Sequence, residues 1–189
     1  MTIKHQEIRA TLTRYLAAHP NETEHLTPLL NALNSDTRDL TSRHTFNGGH
    51  ITCGAVVIDP DQRLLLIEHN ALSKWLLPGG HLEPEDNSLI QATLRELEEE
   101  TGISWHSTIS PPGHDATPLD IDIHTIPANP TKNEPEHWHA DFRYTFHVNE
   151  PAVRLQHEEV SGFAWRNLSD APTPKLAGKL AHLTNSTHP

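Results

Sequence analysis

The sequence predicts a mixed α/β or α+β sandwich that follows a short helical segment. From His50 onward, short stretches rich in β-branched residues alternate with stretches of helical spacing, and no internal repeat is visible. The first 45 residues contain helical spacing alone. We therefore expect a helical N-terminal extension over 1–45 and one main domain over 46–189, in which helices pack on a mixed sheet.

The N-terminal extension contains two predicted helices. Isoleucines and leucines recur at helical spacing over 3–18, and Pro20 ends that helix. A weaker pattern of leucines predicts a second helix over 24–34. The stretch SRHTFNGGH, at 42–50, joins the extension to the main domain.

Strands and a longer helix open the main domain. ITCGAVVID is apolar and β-branched, which predicts a buried strand, and LLLIEH follows it after a turn as the second strand of a hairpin. Residues 72–84 are predicted to form a loop with a tight glycine turn. A helix is expected over 88–101, because Ser88 is a suitable cap and Gly102 a suitable end.

The remaining elements are shorter. Period-two alternation predicts a strand at PLDIDIHTIPA, and two further strands are expected at HWHADFRYTFHV and GFAWRNL. The stretch APTPKLAGKLAHL begins with prolines and continues as a predicted helix. This order of strands and helices agrees with the predicted sandwich.

The composition limits the partners that the protein binds. The net charge is −11 with histidine neutral, which argues against nucleic acid polymers and anionic membranes, since both require a basic patch. The 16 histidines make this charge sensitive to pH. The single cysteine, Cys53, allows no internal disulfide, and no apolar run reaches the length of a signal peptide or a membrane span. We expect a soluble protein of the cytoplasm.

Four glutamates crowd the end of the helix predicted over 88–101, namely Glu96, Glu98, Glu99 and Glu100. On a helix, Glu96 shares a face with Glu99 and Glu100, and like charges at that spacing repel by a few tenths of a kcal/mol, roughly. A divalent cation such as Mg²⁺ or Mn²⁺ reverses this effect, because it prefers carboxylate oxygens. The alternative is a solvated acidic face.

The residues around this helix resemble the Nudix box. Its ending, Arg-Glu-apolar-x-Glu-Glu-x-Gly-apolar, is matched at every fixed position by RELEEETGI at 95–103, and PGGHLEP is typical of its start. One departure lies between them. Counted from Gly80, the family's first glutamate falls on Asp86, and the loop before Arg95 is one residue longer. That glutamate is therefore either replaced by Asp86 or lost.

The resemblance implies a fold and a chemistry. The fold is a mixed sheet between helices, and the reaction is cleavage of the diphosphate linkage in a nucleoside diphosphate derivative. Mg²⁺ or Mn²⁺ is the implied cofactor, which polarises phosphoryl oxygens and orients a water for in-line displacement. Glu96, Glu99, Glu100 and the carbonyl of Gly79 are the implied metal ligands, and Arg95 would orient a glutamate. Catalytic roles would belong to Arg95, Glu99 and Glu100.

A general base is expected either in the box or on a later loop, since members of the family differ in this respect. Glu158 and Glu159 lie in QHEEVSGFAW, just before the last predicted strand. One of them is a candidate catalytic residue or extra metal ligand. Ordinary surface charge is the alternative.

Polar residues also alternate along two predicted strands. Asp120, Asp122 and His124 recur with period two, as do His137, His139 and Asp141. If the two strands are neighbours, the six side chains line one pocket, which could be a transition-metal site, a polar substrate wall or a hydrated strand face. The candidate substrate contacts are Trp75, Gly80, His81, His124, His137, His139, Asp141 and Arg143.

The leading hypothesis is a metal-dependent pyrophosphohydrolase acting on a small, nucleotide-derived phosphorylated substrate. A catalytically silent nucleotide-binding sensor on the same fold is the alternative. Isomerisation of an isoprenoid diphosphate is a third hypothesis, which is disfavoured because Cys53 lies in an apolar strand. Relatives commonly form homodimers, but no residue here demonstrates one.

Overall fold

The computed structural model describes residues 3–35, 38–70, 74–149, 152–155 and 160–185. The helices within these ranges are α1 (His5–Ala18), α2 (Thr27–Ser35), α3 (Leu89–Thr101) and α4 (Pro174–Asn185). The strands are β1 (Gly49–Ile58), β2 (Arg63–His69), β3 (Lys74–Leu76), β4 (Gly79–His81), β5 (Thr108–Ile109), β6 (Asp120–Ile126), β7 (His137–Val148) and β8 (Val160–Asn167).

Strand β1 lies at the centre of one mixed sheet. It pairs in parallel with β7 along its whole length, and antiparallel with β4 and, at its end, with β2. Strands β5 and β6 pair with β7, while β3 and β8 pair with β2. The start of β1 therefore has β7 on one side and β4 on the other, and this junction positions the candidate site.

Helices cover both faces of the sheet. The odd-numbered residues of β1 join a core that includes side chains from α1, α2 and α3. On the other face, Val56 and Ile58 pack with Leu176 and Leu180 of α4. The even-numbered positions nearer the start of β1 carry polar or small residues, namely His50, Thr52 and Gly54. The predicted α/β (α+β) sandwich with a mixed sheet is confirmed.

The N-terminal helices pack on the same core as the sheet, through residues such as Ile8, Leu12 and Leu29. A buried ionic cluster links them to α4, because Lys179 Nζ lies 2.7 Å from Glu22 Oε1 and 3.0 Å from Asp120 Oδ1. Burial alone would raise the Glu22 pKa, but the hydrogen bond from Lys179 lowers it to about 2. The division of the chain near residue 45 stays a prediction.

Most predicted elements are confirmed, and one is corrected. The helix at 88–101 has the expected ends: the Ser88 hydroxyl accepts from the Gln91 N–H, and Gly102 has a φ of 68°. The predicted loop over 72–84 instead contains β3 and β4. Strand β4 forms because it pairs with β1, a contact between distant segments that the glycines of β4 do not signal. No helix within the described ranges is long and apolar enough to cross a membrane.

Candidate active site

The rotation of α3 decides which glutamates face the sheet. Leu97 is buried in the core, whereas Glu98 and Glu99 are exposed. Glu100 is buried again, because it lies three residues after Leu97 and shares its side of the helix. The apolar packing of α3 thus directs one acidic residue inward.

The Gly79–Gly80 segment, which opens β4 and is called the glycine turn below, lies directly against two carboxylates of α3. Glu100 Oε2 accepts a hydrogen bond of 2.7 Å from the Gly79 N–H. A Cβ added at Gly80 would lie 2.8 Å from the carboxyl carbon of Glu96 and from both its oxygens. Gly79 has a φ of 154°, and its Cβ would lie 2.2 Å from the Cys53 carbonyl oxygen. The backbone thus requires a glycine at position 79, and the glycine at position 80 leaves room for the Glu96 carboxylate.

Arg95 connects the acidic groups of the box. Its guanidinium donates to Glu99 Oε2 at 2.9 Å and to Glu96 Oε1 at 3.1 Å. It also donates to both oxygens of Asp86, at 3.1 and 3.2 Å, and to the His81 carbonyl at 2.9 Å. Asp86 is buried and accepts the Glu83 N–H. Of the two alternatives, this geometry supports replacement of the family's first glutamate by Asp86.

The residues present fit a divalent cation. Glu96 and Glu100 offer carboxylate oxygens beside the glycine turn, and Glu99, whose side chain is 49% exposed, shares one guanidinium nitrogen of Arg95 with Glu96. A donor set made only of oxygens suits Mg²⁺ or Mn²⁺. Because Gly80 has no Cβ, the Glu96 carboxylate has room to lie at the turn.

A second polar group lies on the β1–β7–β6 face of the sheet. The registers place His139 opposite both His50 and His124, and Thr52 opposite His81. The ring centroids of His50 and His139 are 4.5 Å apart, those of His50 and His81 5.2 Å, and those of His124 and His139 5.9 Å. The two histidine-bearing strands, β6 and β7, are therefore neighbours, which meets the condition for a shared polar pocket.

Burial determines the charge of these imidazoles. It lowers the pKa of His50 and of His81 to about 4, because the charged form loses its hydration. Burial is the main cause that lowers the pKa of His139 to about 2, and repulsion between His139 and the neighbouring imidazoles adds to it. These three rings are therefore neutral at pH 7.

A model of the NUDIX domain family matches residues 48–185 of the chain. The chain belongs to the Nudix family. The match spans the glutamate helix, the glycine turn and the histidine-bearing strands. Divalent metal ions are used generally in this family.

Two curated relatives and one solved structure are similar to this chain. It is 35% identical over 105 residues to "Probable DHNTP pyrophosphohydrolase" of Lactococcus lactis, covering 56% of this chain and 58% of that protein. It is 44% identical over 57 residues to "Phosphatase NudJ" of Escherichia coli, covering 29% of this chain and 36% of that protein. The chain thus matches less than two thirds of either relative's length.

The solved structure is a binary complex of an Ap4A hydrolase from Caenorhabditis elegans. It superposes with a TM-score of 0.55 at 19% identity, covering 72% of this chain and 96% of that one. At this identity the likeness concerns the fold, and it agrees with the mixed sheet between helices described above.

Arg143, a candidate substrate contact, lies among three aspartates in this Nudix chain. The residue is only 5% exposed, and its guanidinium binds Asp141 at 2.8 Å and Asp120 and Asp122 at 3.1 Å each. The three carboxylates compete with a substrate phosphate for its donors, and the contact with substrate stays a prediction. Asp141 is likewise engaged, since it also accepts from the Thr52 hydroxyl at 3.2 Å.

The other candidates are not all brought together. Trp75 lies on β3, and the Arg166 guanidinium is 5.0 Å from the centroid of its ring. The contacts described for Trp75 involve neither the glutamates of α3 nor the histidines of β1, β6 and β7. Glu158 and Glu159 lie outside the described residues. His50 was not among the candidate contacts, because only the parallel register of β1 with β7 places it beside His139.

Proposed function

We propose that this Nudix chain is a Mg²⁺- or Mn²⁺-dependent pyrophosphohydrolase that cleaves a diphosphate linkage in a small, nucleotide-derived substrate. The observation that carries the proposal is the convergence of Glu96 and Glu100 on the Gly79–Gly80 turn. The family match and the 35% identical relative named as a pyrophosphohydrolase support it.

The cation would be bound by Glu96, Glu99, Glu100 and the Gly79 carbonyl. When bound, it would polarise phosphoryl oxygens and neutralise their charge. A protein with a net charge of −11 repels an anionic substrate, so a local positive charge is needed at the site. The donor set of carboxylates beside a glycine turn is suited to supply it.

Arg95 and Asp86 would orient the carboxylates rather than touch the substrate. Arg95 contacts Glu96 and Glu99 together, which fixes both oxygens relative to each other. Asp86 in turn binds two nitrogens of Arg95, and its burial strengthens that ion pair. Such positioning contributes to catalysis because small displacements of reacting groups lower rates steeply.

The substrate class rests on the named relatives and on the polar groups near the box. A DHNTP-type triphosphate and a dinucleoside polyphosphate are the first compounds to test, because they occur in the names of relatives. Gly80 and His81 would approach the phosphates, and His124 would line the polar wall beyond them. A cytoplasmic location and a homodimer stay predictions.

The test is a substrate screen with Mg²⁺ or Mn²⁺ in ¹⁸O-labelled water, with products identified by mass spectrometry. We expect one phosphorylated product to carry the label, and turnover to require the added metal. Glu99→Gln and Glu100→Gln should each lower kcat by about 10²–10³-fold, which corresponds to roughly 3–4 kcal/mol. Glu98→Gln, on the exposed side of the same helix, is the matched control.

Two outcomes would overturn the proposal. Wild-type turnover in both Glu99→Gln and Glu100→Gln would show that the acidic cluster is not catalytic. Tight nucleotide binding without turnover of any compound in the screen would instead favour the sensor hypothesis.

A further inference from the structure

Three histidines meet where β1 and β7 begin, apart from the glutamate helix. His50, His137 and His139 each offer one ring nitrogen, and these nitrogens all lie within 4.8 Å of one another. The Nε2 atoms of His137 and His139 are 3.2 Å apart. Tetrahedral Zn²⁺ with Zn–N bonds of about 2.0–2.1 Å separates two ligand nitrogens by about 3.3 Å. This pair is therefore close to the spacing of zinc ligands.

Backbone carbonyls determine which nitrogens carry the protons. His137 Nδ1 lies 2.8 Å from the Pro135 carbonyl oxygen, and His50 Nδ1 lies 3.3 Å from that of Thr45. A carbonyl oxygen only accepts, so each Nδ1 must donate to make these hydrogen bonds. In a neutral ring the Nε2 then keeps its lone pair. Metal-binding histidines are oriented by their second nitrogen in this way.

His50 adds an independent observation. The residue is 1% exposed, and its Nε2 is buried without a hydrogen-bond partner among the residues that the structure describes. A buried polar atom left unpaired costs about 1–3 kcal/mol. A cation bound by this nitrogen and by its two neighbours would remove that cost.

We propose that His50, His137 and His139 bind one transition-metal ion of the Zn²⁺ class through their Nε2 atoms. Three neutral imidazoles leave one tetrahedral position for water or for an anionic oxygen. The donors are all nitrogens, so the site selects a different class of ion from the oxygen ligands of the glutamate helix. The ion would fix the segment that contains Thr45 against the start of the sheet.

The alternative without metal is a hydrogen-bonded imidazole pair. In it, His139 donates from Nε2 to the His137 Nε2, and the His50 Nε2 stays unpaired. Both arrangements are compatible with a separation of 3.2 Å. Only the metal site predicts stoichiometric binding of Zn²⁺ that depends on all three rings.

The experiment measures Zn²⁺ bound to the full chain after dialysis, together with the affinity by competition with a chelating dye. We expect one zinc ion per chain. His137→Gln and His139→Gln should each weaken binding on the order of 100-fold or more, since even outer-shell changes cost 10–100-fold, roughly. His147→Gln, farther along the same strand, is the control and should bind zinc as the wild type does.

X-ray absorption at the zinc edge of the wild-type protein identifies the zinc ligands directly, so it tests the proposal even if a variant fails to fold. Imidazole scattering from three nitrogens at about 2.0–2.1 Å supports the proposal. Binding below one zinc ion per chain, unchanged affinity in both variants, or coordination by oxygen alone overturns it. Glu96→Gln and Glu100→Gln should retain zinc, so failure of this site and failure of the proposed hydrolase are distinguishable.

Discussion

Substitution by alanine should have different effects at the two adjacent glycines of the turn: at Gly80 it should lower activity, and at Gly79 it should lower stability. At Gly80 an alanine Cβ would meet the end of the Glu96 side chain at 2.8 Å, and φ there is not positive. At Gly79 the Cβ would meet the Cys53 carbonyl oxygen at 2.2 Å, with φ at 154°. A carboxylate can rotate away, whereas the backbone of β1 cannot.

The magnitudes follow from these contacts. Ordinary contact begins at 3.4 Å, so in Gly80→Ala the Glu96 carboxylate must move by about 0.6 Å. Because a displacement of about 1 Å can cost 10²-fold, we expect kcat to fall about 10–100-fold. Stability should change by less than about 1 kcal/mol. Gly79→Ala should lose about 2–4 kcal/mol of unfolding free energy, which lowers Tm by roughly 5–15 °C.

The assay compares both variants by turnover at saturating Mg²⁺ and by thermal unfolding. The expected pattern is a slow, stable Gly80→Ala protein and an unstable Gly79→Ala protein. Wild-type kcat in Gly80→Ala would refute the placement of Glu96 at the turn. If Gly80→Ala lost activity and its Tm also fell steeply, the Glu96 side chain would not be able to move away from the new Cβ, and the reasoning would be refuted.

Three further predictions concern buried charges. Asp86→Asn should lower kcat about tenfold and stability by about 1–3 kcal/mol, since Arg95 loses a charged partner; unchanged turnover would contradict this. Glu22→Gln should cost about 1–2 kcal/mol at pH 7. The pKa of Glu22 in the folded protein, about 2, lies below the usual value of 4.5. The stability difference between wild type and variant, measured by urea unfolding, should therefore shrink as pH falls from 4.5 to 2; a constant difference would count against it. Arg143→Met should cost about 3–5 kcal/mol, because three carboxylates lose their cation, and equal stability would exclude the ionic cluster.

Local spacing made the glutamate helix predictable from sequence. Its ends follow from Ser88 and Gly102, and the shared face of Glu96 and Glu100 follows from the helical period. Whether Asp86 replaces the family's first glutamate was left open, since the loop before Arg95 is one residue longer. The three-dimensional path of the loop brings Asp86 to the Arg95 guanidinium, which supports the replacement.

Pairing between distant segments was not predictable in the same way. The period-two histidines of β7 are visible in the sequence, but the approach of His50 depends on a parallel register that brings it to His139. The surroundings of Arg143 depend on the same kind of pairing. Arg143 is a candidate substrate contact from the sequence, and its burial with three aspartates becomes visible only when β6 and β7 are paired.

A crystal structure of the protein soaked with Mn²⁺, recorded with its anomalous signal, tests the central claim most directly. We predict a peak at about 2.0–2.3 Å from carboxylate oxygens of Glu96 and Glu100 and beside the Gly79 carbonyl. A map in which these glutamates point apart with no ion between them, or in which manganese lies only at the histidines, would contradict the proposed hydrolase.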